Sequence, residues 1–165
     1  MEKRMKWLWA AAGLLAAHAG WAATSVAYVE PERFVDAGRS ASERERTLKE
    51  LSAHLEKLGR ALAPEQALKI EITDLDLAGR LEPNRRGADD IRLLRGGADW
   101  PHIHLRYALS GPGGVIGGGE QDLSNMNYLS RINRYDSSDS LRYEKQMLDD
   151  WFKATFRSTQ AVSAK

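Results

Sequence analysis

The sequence contains no cysteine. That absence excludes a disulfide framework, thiolate nucleophiles, thiolate metal sites and a lipid attached through an N-terminal cysteine. An excess of charge of one sign is also missing, since 24 basic residues stand against 23 acidic ones. Lys3, Arg4 and Lys6 open the chain against Glu2 alone, so the remainder of the chain is balanced to within one charge. A near-neutral domain offers no basic stripe for nucleic acid or a membrane surface, and neither partner is expected. Neither G-x-S-x-G nor S-x-x-K occurs, which leaves serine hydrolysis without a signature. No internal repeat or low-complexity segment marks a second domain.

Long hydrophobic runs are scarce too. The run from Trp7 to Ala17 is shorter than the ~20 residues of a membrane-spanning helix. It comes after basic residues and closes on Gly20 and Ala22, the −3 and −1 positions that a signal peptidase reads. The pattern predicts a signal peptide over residues 1–22, cleaved after Ala22, and an exported product with no membrane span. One domain is expected over residues 23–157, with a frayed tail over 158–165.

Within that domain, "TSVAYVEP" alternates as a short strand does and stops at Pro31. Leu48, Leu51, Leu55, Leu58 and Leu62 recur at spacings of three and four, the stripe of an amphipathic helix, and Ser40 with Glu43 has the spacing of a capping box. His54, among charges on that helix, is expected to be exposed. "ALKIEITDLDLAG" puts Leu68, Ile70 and Ile72 on one strand face, then shifts phase to Leu75 and Leu77, which predicts a bulge or strand end near Thr73 and Asp74. "IRLLR" reads as a short edge strand. "ADWPHIHLRYAL" reads as a half-buried strand, and "SGPGG" turns it into "VIGGGEQDL" as a hairpin, with Gly117 to Gly119 marking a bulge or a close backbone approach. Leu141, Leu148, Trp151, Phe152 and Phe156 share one face of a second helix capped by Asp139 or Ser140. The expected class is α+β: one domain with a mostly antiparallel or mixed sheet of four to five strands and two amphipathic helices on one face, in the order β-α-β-β-β-α.

The order and spacing of "DLDLAG", "DWPHIHLRY", "SNMNY" and "RYEKQMLDDWF" resemble domain-of-unknown-function family 3016, whose members are small exported bacterial proteins. The likeness runs from "VAYVEPERF" to "WFKATF" and centres on Asp76, Leu77, Ala78, Gly79, Trp100, Pro101, Asn127, Tyr128, Tyr143, Glu144 and Trp151. It implies a Gram-negative periplasmic location. It implies no activity, ligand or catalytic residue, and the histidines stand outside its pattern.

Three groups of side chains carry candidate chemistry. His102 and His104 project from one strand face, close enough to grip one metal ion, and Asp74 or Asp76 from a neighbouring strand could complete a site. Two ligands fall short of the three or four that zinc requires, so a solvated strand face is expected instead. "DLDLAG" echoes a calcium loop, but Ala78 stands at the third ligand place and Arg85 where the bidentate glutamate belongs. Asp74 and Asp76 could be paired carboxylates for acid/base work, but one of them is instead expected to accept backbone amides at a strand end or turn. Arg80, Arg85, Arg86, Arg92 and Arg95 are interspersed with acids and read as a solvated loop. The segment from Ser124 to Ser138 carries Asn125, Asn127, Tyr128 and Tyr135, with Tyr143 just beyond, and this group suits ligand or partner contact as well as it suits pinning the loop down.

These readings converge on a non-catalytic binding or interaction module of the cell envelope, without a cofactor, whose partner is another envelope protein or a cell-envelope ligand. The rival is a small metal-dependent or acid/base hydrolase using Asp74, Asp76, His102 and His104.

Overall fold

The computed structural model describes residues 23–82 and 91–163, with side chains as far as Phe156. The expected leader, together with Arg85 and Arg86, lies outside the described residues. The chain runs β1 (Ala23–Tyr28), a 3-10 turn (Pro31–Arg33), α1 (Ala41–Gly59), β2 (Ala67–Asp76), β3 (Arg80–Glu82), β4 (Ile91–Leu93), β5 (His102–Gly111), β6 (Gly114–Ser124) and α2 (Arg142–Ser163). Four strands form one sheet in the order β1-β2-β5-β6, and β3 and β4 pair separately as a two-stranded ribbon. The domain is α+β.

Local chemistry explains each boundary. Ser40 accepts the Glu43 N–H while Glu43 reaches back to the Ser40 N–H, so the expected capping box starts α1. Because β1 and β2 are parallel, a crossover must join them, and α1 provides it. The helix returns close to the strand it left: a Cβ built on Gly59 would lie 1.8 Å from Thr24 Oγ1. The register of β2 against β5 shifts between Ile72 and Asp74, where the apolar phase changes. The bulge keeps Leu75 buried in the core while Asp74 and Asp76 stay on the other face. A turn at Pro112 and Gly113 joins β5 to β6, and a second register shift leaves Ile116 as the extra residue of a bulge. Asp139 accepts the Leu141 N–H just before α2.

The core lies between the helices and one face of the sheet. Leu51 and Leu55 of α1 and Leu148, Trp151, Phe152 and Phe156 of α2 pack in one cluster with Leu68, Ile70, Ile72 and Leu75 of β2 and Ile103, Leu105 and Leu109 of β5. The opposite face of the sheet is polar.

Four features differ from expectation. Arg80 and Arg92, read as part of a solvated loop, lie in β3 and β4, where the ribbon pairs them into strands and Asp36 holds Arg92. "IRLLR" joins the separate ribbon and not the main sheet, because β3 lies directly across from it after the Gly79 corner. α2 runs on through Ser163, into the segment expected to fray. His54 is only 8% exposed, not a surface residue, because α2 crosses α1 there and Asp149 covers the imidazole.

Candidate functional site

β6 is the last strand of the sheet, and α2, packed over the core-facing side of the sheet, lies next to it. Between them lies a cleft of about 590 Å³, in the range of small-ligand and peptide sites. One wall is α2, which presents Met147, Asp150, Trp151, Ala154 and Thr155, the i, i+3, i+4, i+7, i+8 face of a helix. The other wall is Gln121 to Asn125, consecutive residues of β6 and its exit, with Tyr107 contributed by β5. Side chains of successive strand residues point to opposite faces, so a wall made of consecutive residues is the backbone edge of the strand itself.

One buried donor here lacks a partner. The Trp151 indole N–H finds no acceptor although the residue is 5% exposed. Asn125, 8% exposed, lines the cleft beside it. A buried donor without a partner costs about 1–3 kcal/mol, so the indole favours anything that brings it an oxygen acceptor. Tyr107 meets Trp151 edge-to-face with ring centroids 5.7 Å apart, which makes the inner end of the cleft aromatic. At its rim Arg131 lies 2.9 Å from Asp150, within ion-pair range though not aligned as a hydrogen bond.

The aromatic-polar loop borders this cleft at Asn125 and Arg131 and serves structure elsewhere. Only Asn125 of the five singled-out residues lines it. Tyr128 and Tyr143 stack edge-to-face 4.8 Å apart in a second small core with Ala78, flanked by Leu94 and Trp100. The Tyr128 hydroxyl donates to Asp99, and burial together with that acceptor pushes it up to about 12. Tyr135 donates to Asp149, the carboxylate that also meets His54, and burial raises its phenol as well. Burial in turn pushes the His54 imidazole below its ordinary value, against the pull of Asp149. Asn127 is exposed, and its carbonyl accepts the Ser130 and Arg131 amides. The tyrosines therefore pin the loop, and the loop holds Asn125 and Arg131 at the cleft.

Asp74, Asp76, His102 and His104 share the open face of the sheet, Asp74 opposite His104 and Asp76 opposite His102. The histidines nevertheless turn toward β6. His104 Nδ1 lies 2.7 Å from Asp122 and Nε2 lies 2.7 Å from Glu120, while His102 Nε2 lies 3.4 Å from Asp122. Asp74 accepts the Val35 and Leu75 amides through Oδ1, the strand-end role its short side chain suits. Burial, then Asp36 and Asp74, raise the Asp76 carboxyl above its ordinary value. Among the described residues no group of three or more such side chains is arranged to hold a metal ion.

Both His104 nitrogens lie within hydrogen-bond distance of carboxylates, an arrangement in which both can donate only when the ring is protonated, and its pKa is raised, chiefly by Glu120. A raised folded-state pKa contributes stability that is fully present below the unfolded value and is lost as pH rises through the folded one. Replacing Glu120 by glutamine is therefore expected to lower the His104 titration midpoint, followed by NMR of the ring protons. An unchanged midpoint would remove the Glu120 contact from the account.

The buried corner after β2 is the other concentration of charge. Glu144 in the first turn of α2 is 1% exposed, and its Oε1 accepts the Ala78 N–H at 2.7 Å. Arg92 lies 2.9 Å from Asp36 and donates to the Ala78 carbonyl. The corner joins "DLAG" to α2 and the ribbon.

A family model matches residues 22–154, and its description is protein of unknown function, DUF3016. No curated protein matches the chain.

Proposed function

Since the chain belongs to the DUF3016 family, whose description carries no activity, we propose from its own geometry that it is an exported, non-catalytic binding module of the cell envelope. Its ligand occupies the cleft between β6 and α2. The observation that carries this reading is the pairing of an open cleft with the unpartnered N–H of Trp151, a residue that lines it. Catalytic machinery has weaker support: Asp74 is engaged with backbone amides and His104 with two carboxylates, which leaves the rival set short of a free base beside a free nucleophile. The signal-peptide pattern supplies the location, and the absence of any helix long and apolar enough to cross a membrane among the described residues is compatible with it.

The test places a photo-crosslinking residue at Thr155 inside the cleft or at the exposed Lys153 on the outer side of α2, in living cells. Adducts at 155 that are absent at 153 and disappear when Ala154→Trp fills the cleft support the reading. Equal labelling at both positions, or none, overturns it. Fractionation of the same cells is expected to find the protein in the periplasm with Ala23 at its N-terminus, and a cytosolic chain retaining Met1 would overturn the location.

A further inference from the structure

Resting on the reading of the cleft as the binding site, we infer that its ligand is an extended polypeptide that adds to β6 as a fifth strand, with cationic residues alternating with apolar ones. β6 is 11 residues long and is paired on one side only, by β5. Alternate backbone N–H and C=O groups of such a strand point outward with no ladder to join, which makes it a template for another chain. Nothing lies within 4 Å of a Cβ built on Gly117 and one built on Gly119 would meet the Tyr107 ring at 3.5 Å, and the run of glycines itself adds no side chain to this part of the edge. The cleft then tracks the same edge over Gln121 to Ser124. A strand laid there would turn alternate side chains toward Tyr107, Met147 and Trp151.

The open face of the sheet sets the charge of the other side chains. Three cross-strand rows run Glu71–Arg106–Glu120, Asp74–His104–Asp122 and Asp76–His102–Ser124. In these rows β2 thus offers three acids, β5 three bases and β6 two acids and a serine. Opposite charges across a strand pair are favourable and like charges are not. The column that continues this alternation beyond β6 is basic. Glu120 and Asp122 keep 51% and 65% of their side-chain surface exposed, open to such a neighbour. The same rule disfavours a second copy of this chain, because two β6 edges would set Glu120 and Asp122 against each other.

The test uses the purified protein and short peptides capped at both ends: an alternating Val–Lys peptide, the same peptide with alternate backbone amides methylated, and an alternating Val–Glu peptide. The Val–Lys peptide is expected to bind, to shift the Trp151 indole resonance and the β6 amides, and to protect those amides from exchange. Methylation and the Val–Glu exchange are each expected to weaken binding at least tenfold, and Asp122→Asn to weaken the Val–Lys peptide several-fold. Equal binding of the methylated peptide, no binding of any peptide, or a β6-edged dimer in sedimentation overturns the inference. The reading of the cleft would survive any of these if the Thr155 adduct and its loss on Ala154→Trp persist, so the two fail separately.

Discussion

Replacing Gly79 by alanine is expected to destabilise the protein by about 3 kcal/mol, read by chemical denaturation. The residue has φ +86, a left-handed conformation that costs a side-chain-bearing residue about 1–2 kcal/mol. The added Cβ would also lie 2.6 Å from the Leu93 carbonyl oxygen and 2.6 Å from Leu94 Cδ2. A backbone carbonyl cannot rotate away as a side-chain terminus can, so β4 itself must move. The Gly79 N–H donates to the Asp99 carbonyl, which ties this turn to the segment entering β5. Gly97→Ala is the control: it has no positive φ and nothing within 4 Å, so its effect should stay within about 0.5 kcal/mol. Equal effects at the two positions would show that the corner yields, and would remove the backbone explanation for the glycine of "DLAG".

The second large effect belongs to Glu144. Truncation to alanine orphans the buried Ala78 N–H and opens a hole in the first turn of α2, for a loss of about 3 kcal/mol. Replacement by glutamine separates shape from charge. Burial raises the Glu144 carboxyl above its ordinary value, the Ala78 N–H only partly opposing it, and Oε2 has no partner. A group whose folded-state pKa is raised contributes stability that is whole below its unfolded pKa and is lost as pH rises through the folded one. Glutamine keeps the acceptor for Ala78 and cannot ionise. Glu144→Gln should therefore match the wild type at low pH and become the more stable protein as pH climbs past the folded pKa. Denaturation across a pH series checks this, and parallel profiles for the two proteins would mean that the carboxyl does not change ionisation there.

Much of the fold was legible because the signals that carry it are local and periodic. The leucines of α1 recur with the pitch of a helix, and Leu51 and Leu55 are fully buried where that pitch puts them. The phase slip between Ile72 and Leu75 announces the bulge of β2 because side chains alternate strictly along a strand. Glycines at 117–119 marked a close approach, and a Cβ on Gly118 would meet the Tyr107 carbonyl oxygen at 2.8 Å. The loop tyrosines were visible as a group, but their division of labour was not. Whether a phenol faces a ligand or a neighbouring ring depends on what lies across from it, and for Tyr128 that is Tyr143.

Sequence by itself determined the class, the two helices and their caps, the strands of the main sheet and its polar face, since each is set by residues within a few positions of one another. Tertiary structure alone decided that His54 is covered by Asp149, that Glu144 reaches Ala78, and that residues 121–125 and 147–155 enclose a cleft. The physical reason is separation along the chain: burial and the pairing of polar groups are properties of surfaces brought together by packing, and no local pattern records which surface a segment will meet.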